Sequence, residues 1–235
     1  MSALVSVIIP FFDVGPYLAE AVASVLAQDY RPLELLLVDD GSTRDHADAA
    51  AHLARTSAQV RLLRLPSNQG PAAARNAALR EARGELLTFL DADDLMLSGR
   101  VSFQAAYLES HPEVDVVAGE AECVLAQGIT PPEWLRALEA TGRHRYPCAM
   151  TMLARRRVFE RVGAFDPAYR VGEDTDWMLR AGAAGVVVAR VERVLIRRRL
   201  HGANLTYRTV ELRAAVHRSV LRLARDRIAA RRHGP

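Results

Sequence analysis

Apolar positions along the chain follow two rhythms. Short apolar or β-branched runs, VSVIIP (5–10), LELLLV (33–38), VRLLRL (60–65) and ELLTFL (85–90), alternate with stretches over 14–28, 44–55 and 71–82 whose apolar residues recur every three or four positions. Strand–helix alternation of this kind predicts crossover units, and therefore an α/β fold with a Rossmann-like, mainly parallel sheet covered by helices on both faces. The pattern continues with a helix over 98–110 and a strand over 114–119. It loses regularity between Gly128 and Pro147, where Pro131, Pro132 and Gly142 punctuate a short helical stretch around 133–140. A strand-and-helix unit follows over 150–167, then a helix opening at VGEDTDW (171–177) and strands over 185–191 and 194–200.

The segment from 209 to 232 predicts one more helix, with Leu212, Val216, Val220, Leu223 and Ile228 near one face and Arg213, Arg222, Arg225 and Arg232 elsewhere. Three partners suit such a helix: the domain itself, a second subunit in a homodimer, or an anionic membrane surface in peripheral contact. No internal repeat or low-complexity linker breaks the chain. The expected organisation is one domain over 1–207 followed by a basic amphipathic helix over 208–235.

Composition narrows the classes. The 235 residues are half apolar, enough for a substantial core. No stretch approaches the ~18–20 consecutive apolar residues that span a bilayer, and the short apolar start meets Asp13 without a basic leader, so a cytoplasmic location is expected. Cys123 and Cys148 form no CxxC pair and sit in no His/Cys cluster, which argues against a disulfide scaffold or a structural zinc site. The charge is +3 and aromatic residues make up 6% of the chain, without the interleaved stacking platforms of single-strand binders; no nucleic-acid partner is expected. All basic residues other than histidine are arginine, which removes any mechanism that requires a lysine.

In open α/β sheets, ligands bind where the strands end at their carboxyl side. Asp39 and Asp40 follow LELLLV, and Asp91, Asp93 and Asp94 follow ELLTFL, so both acidic groups belong to one rim. Carboxylates this close repel one another unless a cation sits among them. Mg²⁺ or Mn²⁺ suits such a set, because these ions prefer oxygen ligands; Mg²⁺ in particular keeps sites for water and substrate phosphates.

Five ordered segments, VSVIIPFFD, LVDDGSTRD, NQGPAAARNAAL, FLDADDL and VGEDTDWMLRA, resemble the successive signatures of the family 2 glycosyltransferases, whose fold is of the GT-A type; the likeness runs from about Val5 to Thr206. The resemblance implies an inverting transferase, dependent on Mn²⁺ or Mg²⁺, that moves a sugar from a nucleotide-sugar, UDP-linked by expectation, to a hydroxyl or amine. The acceptor, whether a small molecule, a lipid-linked sugar or a peptide, is not legible. Nucleotide contacts are implied for Pro10, Phe11, Asp39, Asp40, Asn68, Gly70, Arg75, Asp91 and Ala92. Asp93 is implied as the main metal ligand with His201 beside it, and Arg199 as a partner of phosphate.

Asp174 is implied as the base that takes the acceptor's proton, with Glu173 in reserve; acids at these positions also stabilise a helix N-terminus in their own right. Asp176 reads as solvated or structural, and Trp177 as core or pocket wall. Trp134, in the irregular segment, is a candidate for stacking on a sugar or acceptor.

Rival classes fit less well. A nucleotidyltransferase would need a Gly-rich basic loop after the first strand, where this chain has PFFDVGPY, and a phosphate-accepting receiver domain would need a late lysine. A non-catalytic nucleotide-sugar-binding module or partner subunit on the same fold remains the alternative.

Overall fold

A computed structural model of the chain describes residues 2–130, 143–144, 149–205 and 209–232. Trp134 and Cys148 lie outside the described residues. Five strands and four helices make the first part: β1 (Val5–Phe11), α1 (Tyr17–Leu26), β2 (Leu33–Asp39), α2 (Arg44–Arg55), β3 (Val60–Arg64), α3 (Pro71–Glu81), β4 (Leu86–Phe89), β5 (Leu95–Met96) and α4 (Arg100–Ser110). There follow β6 (Val116–Leu125), β7 (Arg143–His144), β8 (Met152–Arg155), α5 (Arg156–Val162), α6 (Glu173–Ala183), β9 (Val188–Leu200) and α7 (Thr209–Arg232).

The described strands form one sheet in the order β3-β2-β1-β4-β8-β6-β9-β5, with β7 paired to β6. Strands β1 to β4 pair in parallel, as the crossover units require. Beyond β4 the sheet is mixed: β8 runs antiparallel to both β4 and β6, whereas β6 and β9 are parallel over a long register.

Alternation along each strand divides the core into two layers. In β1, Val5, Val7, Ile9 and Phe11 face one side with Leu33, Leu35 and Leu37 of β2, packed under α1, α2 and α4. Ile8, Leu36 and Val38 face the other, under α3, α5 and α6, where Phe159, Phe165 and Trp177 join Phe89. Because both faces are covered, β1 and β2 are apolar but for Ser6, Glu34 and Asp39, and Ser6 donates to Glu34 at 2.6 Å.

Three features depart from the sequence reading. The strands expected over 185–191 and 194–200 are one strand, β9, whose register against β6 shifts between Ala118 and Ala121. Local pattern cannot distinguish a bulge inside a strand from a break between two. Strand β6 runs on to Leu125, past the expected end at 119, because β9 gives it a partner along that length. The two-residue β5 was not foreseen; it pairs Leu95 with Arg197 and Met96 with Ile196, tying the acidic segment to the end of β9.

Helix α7 packs against α6. Gly172 caps α6 at φ +81°, and a Cβ there would come within 2.9 Å of the Leu212 side chain, so the close approach of α7 requires glycine. Nearby, Asp176 is buried and structural rather than solvated. It accepts hydrogen bonds from Ser219 Oγ (2.8 Å), Arg180 Nε (2.9 Å) and Arg222 Nη2. Trp177 belongs to the core: it is fully buried and donates from Nε1 to the Gly163 carbonyl at 2.9 Å.

Candidate active site

Loops that follow the strands build the sheet's carboxyl rim. Strand β4 ends and the chain turns through Leu90 to Asp94, placing Asp91, Asp93 and Asp94 with one ligand oxygen each within 4.8 Å of the others. Each acid takes a partner from a different element. Asp91 Oδ1 meets Arg75 Nη2 of α3 at 2.7 Å. Asp93 Oδ2 accepts from Asn204 Nδ2 at 2.9 Å and lies 3.0 Å from His201 Nε2. Asp94 Oδ1 accepts from the Arg199 backbone N–H at 2.8 Å. Burial, followed by their mutual repulsion, raises the Asp93 carboxyl above the usual range and Asp94 well above it.

Whether a divalent cation suits this set can be judged from the oxygens themselves. The donors are hard, clustered and under-compensated, and Asp94 Oδ2 is buried without a hydrogen-bond partner among the described residues. They fit such an ion. His201 approaches the same oxygen of Asp93, and its ring stacks on Tyr17 at 5.1 Å between centroids.

Arg75 joins the two acidic motifs. It is buried, and its guanidinium holds Glu173 through Nη1 and Asp91 through Nη2. Burial alone would depress its pKa, but Glu173, Asp91 and Asp174 reverse that and hold it firmly charged. Burial lifts the Glu173 carboxyl to about 7, with Arg75 pulling it back and Asp174 pushing it further. Asp174, one residue on, is half-exposed; the hydrogen bonds its carboxylate accepts come from Thr175, N–H at 2.7 Å and hydroxyl at 3.4 Å. Of the pair, Glu173 is therefore tied to Arg75, while Asp174 is the more exposed.

The residues implied for the nucleotide sit on the same rim in different states. Asp39 is fully buried at the end of β2, accepting from the Ser42 N–H at 2.7 Å with Arg64 at 3.3 Å. Asp40 is spent on the neighbouring loop: its two oxygens accept from the Gln69 and Gly70 N–H groups at 2.8 Å each, offsetting a burial that raises its pKa. Gly41, at φ +78°, lies so close to the Ser67 backbone that a Cβ would come within 2.5 Å of it, which fixes glycine in the DDGS turn. Asn68 Oδ1 accepts from Arg170 at 3.1 Å, and Gly70 caps α3 with Pro71 at its first turn.

Pro10 lies at the strand's end beside Val38, and Ala92 is buried. The Phe11 side chain lies in the core layer under α1, α2 and α4, and the exposed aromatic at the end of β1 is Phe12, 45% exposed.

Arg199 reaches Glu20 through Nη1 at 2.6 Å, donates through Nε to the Asp93 carbonyl, and lies over the Tyr17 ring at 4.7 Å. Its Nη2 is buried without a hydrogen-bond partner among the described residues. Tyr17, Glu20, Asn204 and Arg170 are site neighbours that the sequence reading did not single out. Tyr17 and Glu20 fit the apolar and polar stripes of α1, and Asn204 sits in a short loop; only folding brings them to the acids.

The rim of this α/β sheet thus gathers a hard-oxygen triad, an arginine bridge and a half-exposed carboxylate. The family model "Glycosyl transferase family 2" matches residues 6–163, and the chain belongs to that family. Among relatives, an uncharacterized glycosyltransferase of Haemophilus influenzae is 38% identical over 109 residues, covering 46% of this chain and 44% of its own. Glycosyltransferase GlyG of Streptococcus pneumoniae is 34% identical over 119 residues, covering 51% of this chain and 39% of its own. The chain thus spans less than half the length of these relatives.

Two solved structures share the fold. TarS 1-349 of S. aureus in complex with UDP-GlcNAc superposes with a TM-score of 0.67 at 21% identity, over 85% of this chain and 59% of that one. The mannosyltransferase PcManGT from Pyrobaculum calidifontis, in complex with GDP-Man and Mn²⁺, superposes with a TM-score of 0.69 at 20% identity, over 100% of this chain and 77% of that one.

Proposed function

We propose that the chain transfers a sugar from a nucleoside-diphosphate sugar, UDP-linked in the first instance, to an acceptor hydroxyl or amine by a single in-line displacement that inverts the anomeric carbon. The observation that carries this is the Arg75 bridge: by holding Asp91 and Glu173 at once, it sets the donor-side triad and the acceptor-side pair on one rim. Family membership and fold neighbours solved with UDP-GlcNAc and with GDP-Man support it.

In this reading the base and ribose lie over the end of β2 at Asp39, and the loop of Asn68 and Gly70, shaped by Asp40, closes over them. Asp91 lies toward the ribose. Asp93 and Asp94 would hold a divalent cation, with His201 beside them; that ion would neutralise charge developing on the departing diphosphate. Arg199, with a guanidinium nitrogen free to donate, faces phosphate oxygens. Asp174 accepts the acceptor's proton while Glu173 stays with Arg75 and orients the start of α6.

Asp174→Asn tests the assignment. Donor binding, read as the rise in melting temperature with UDP-sugars and GDP-sugars in the presence of Mn²⁺, should be preserved while kcat falls by roughly 10²–10⁴-fold. Turnover within twofold of wild type would remove Asp174 from the mechanism. Donor binding without turnover on any acceptor would favour a non-catalytic binding module instead.

A further inference from the structure

The chain's positive charge is concentrated in one helix. Between Thr209 and Arg232, α7 carries seven arginines against two acids, whereas the remainder has 24 basic residues against 26 acidic ones. The helix is held to the body along one side. Leu212, Ala215, Ser219 and Arg222, at three- and four-residue spacing, meet Gly172, Tyr169, Asp166 and Asp176.

Its other side carries an apolar ridge between cations. Val220 and Leu221 are 49% and 42% exposed, and Arg218 and Arg225 are exposed with them. At about 100° per residue, Leu221 falls between Arg213 on one flank and Arg218 with Arg225 on the other. Where this side meets the body there is a cleft of about 520 Å³ lined by Tyr169, Arg218, Leu221, Arg222 and Arg225. Asp166 and Asp176 neutralise Arg222. Arg218 lies 5.3 Å from the Tyr169 ring centroid, and among the described residues neither Arg218 nor Arg225 pairs with an acid.

We propose that α7 docks the protein on an anionic phospholipid surface, with Val220 and Leu221 entering the interfacial layer and the Arg218–Arg225 cleft taking a lipid phosphate. Apolar side chains bordered by long basic ones are what a helix lying in the plane of a bilayer presents, since the stems bury while the guanidiniums remain at the headgroups. A second copy of the chain suits this side poorly, because a twofold contact would set arginines against arginines. Among the described residues no helix is long and apolar enough to cross a membrane, so contact of this kind is peripheral. The docking does not depend on the transferase reading.

Co-sedimentation of the full chain tests it, using vesicles of phosphatidylcholine alone and vesicles with phosphatidylglycerol at about one third of the lipid. Wild type should bind the anionic vesicles at low ionic strength, leave them at high ionic strength, and ignore neutral ones. The double variant Arg218→Glu/Arg225→Glu should partition at least roughly tenfold more weakly, and Leu221→Gln several-fold more weakly, each melting as wild type does. Failure of wild type to bind, equal binding to neutral vesicles, or undiminished binding by the folded variants would overturn the proposal. So would a dimer in sedimentation that Leu221→Gln dissociates.

Discussion

Asp115, just before β6, and the Asp93–Asp94 pair after β4 are acids with opposite treatment. Asp115 is gripped by Arg157 at 3.0 Å, Arg161 at 2.6 Å and the Val187 N–H at 3.2 Å; these overcome the effect of burial and hold its carboxyl below the usual range. Asp93 and Asp94 have a histidine, an asparagine and a backbone amide, and their carboxyls are raised. This chain has arginine to spare, yet it places Arg75 on Asp91 and leaves the side-chain oxygens of Asp93 to a histidine and an asparagine. An acid that ties elements together is saturated by its own protein, whereas an acid that serves a ligand keeps electrostatic demand in reserve.

The contrast is sharpest if the two groups are broken in turn. Asp93→Asn should lower transfer by several kcal/mol of transition-state stabilisation and abolish any rise in melting temperature with Mn²⁺. The same change should leave the folded state as stable as wild type or more so, because a repulsion has been removed. Calorimetry with and without Mn²⁺, beside a transfer assay, separates these effects; a destabilised variant with normal turnover would reverse the comparison.

Asp115→Asn should do the opposite. Stability should fall by about 2 kcal/mol at neutral pH with the per-molecule turnover unchanged. Because the folded carboxyl is depressed, that stabilisation is present above the ordinary aspartate range and lost as pH falls through the folded pKa. Denaturant titrations should therefore show wild type and variant converging in acid; a gap independent of pH would deny the charge a role.

Glu173 belongs to neither extreme, since it is raised to about 7 despite its arginine. A raised carboxyl favours the folded state fully below the ordinary glutamate range, and that contribution is lost as pH rises toward 7. Glu173→Gln mimics the protonated form, so its stability relative to wild type should climb on the order of 2 kcal/mol between those limits and then level off. A decline over the same range would show that the Arg75 pair outweighs desolvation.

The smallest effect belongs to Arg44 and Asp48, which are 3.7 Å apart with side chains 91% and 73% exposed. Arg44→Ala should change stability by less than about 0.5 kcal/mol in either direction. A larger loss would mean that exposure is a poor guide to which ion pairs matter here.

Much of this architecture could be read along the chain. The strand–helix alternation through β4 gave the parallel half of the sheet, because fully buried strands must be apolar throughout and the helices between them show their own period. The same logic placed Asp39, Asp40, Asp91, Asp93 and Asp94 on one rim. It did not reveal the mixed half, where β8 inserts antiparallel between β4 and β6; pairing direction is set by partners distant in sequence.

Roles within the site divide in the same way. Sequence alone determined which side-chain types stand where: a cluster of hard oxygens, a later acidic pair, and a chain without lysine whose basic excess sits in its last helix. Only the tertiary structure decided how each is used. It turned Phe11 inward and left Phe12 on the rim, bound Asp40 to the loop at Gln69 and Gly70, buried Asp176 under α7, and made Arg75 the link between Asp91 and Glu173. A side chain's type follows from its codon, but whether it meets water, a cation or another acid depends on segments more than a hundred residues away, and in a dry interior that choice sets its charge and its task.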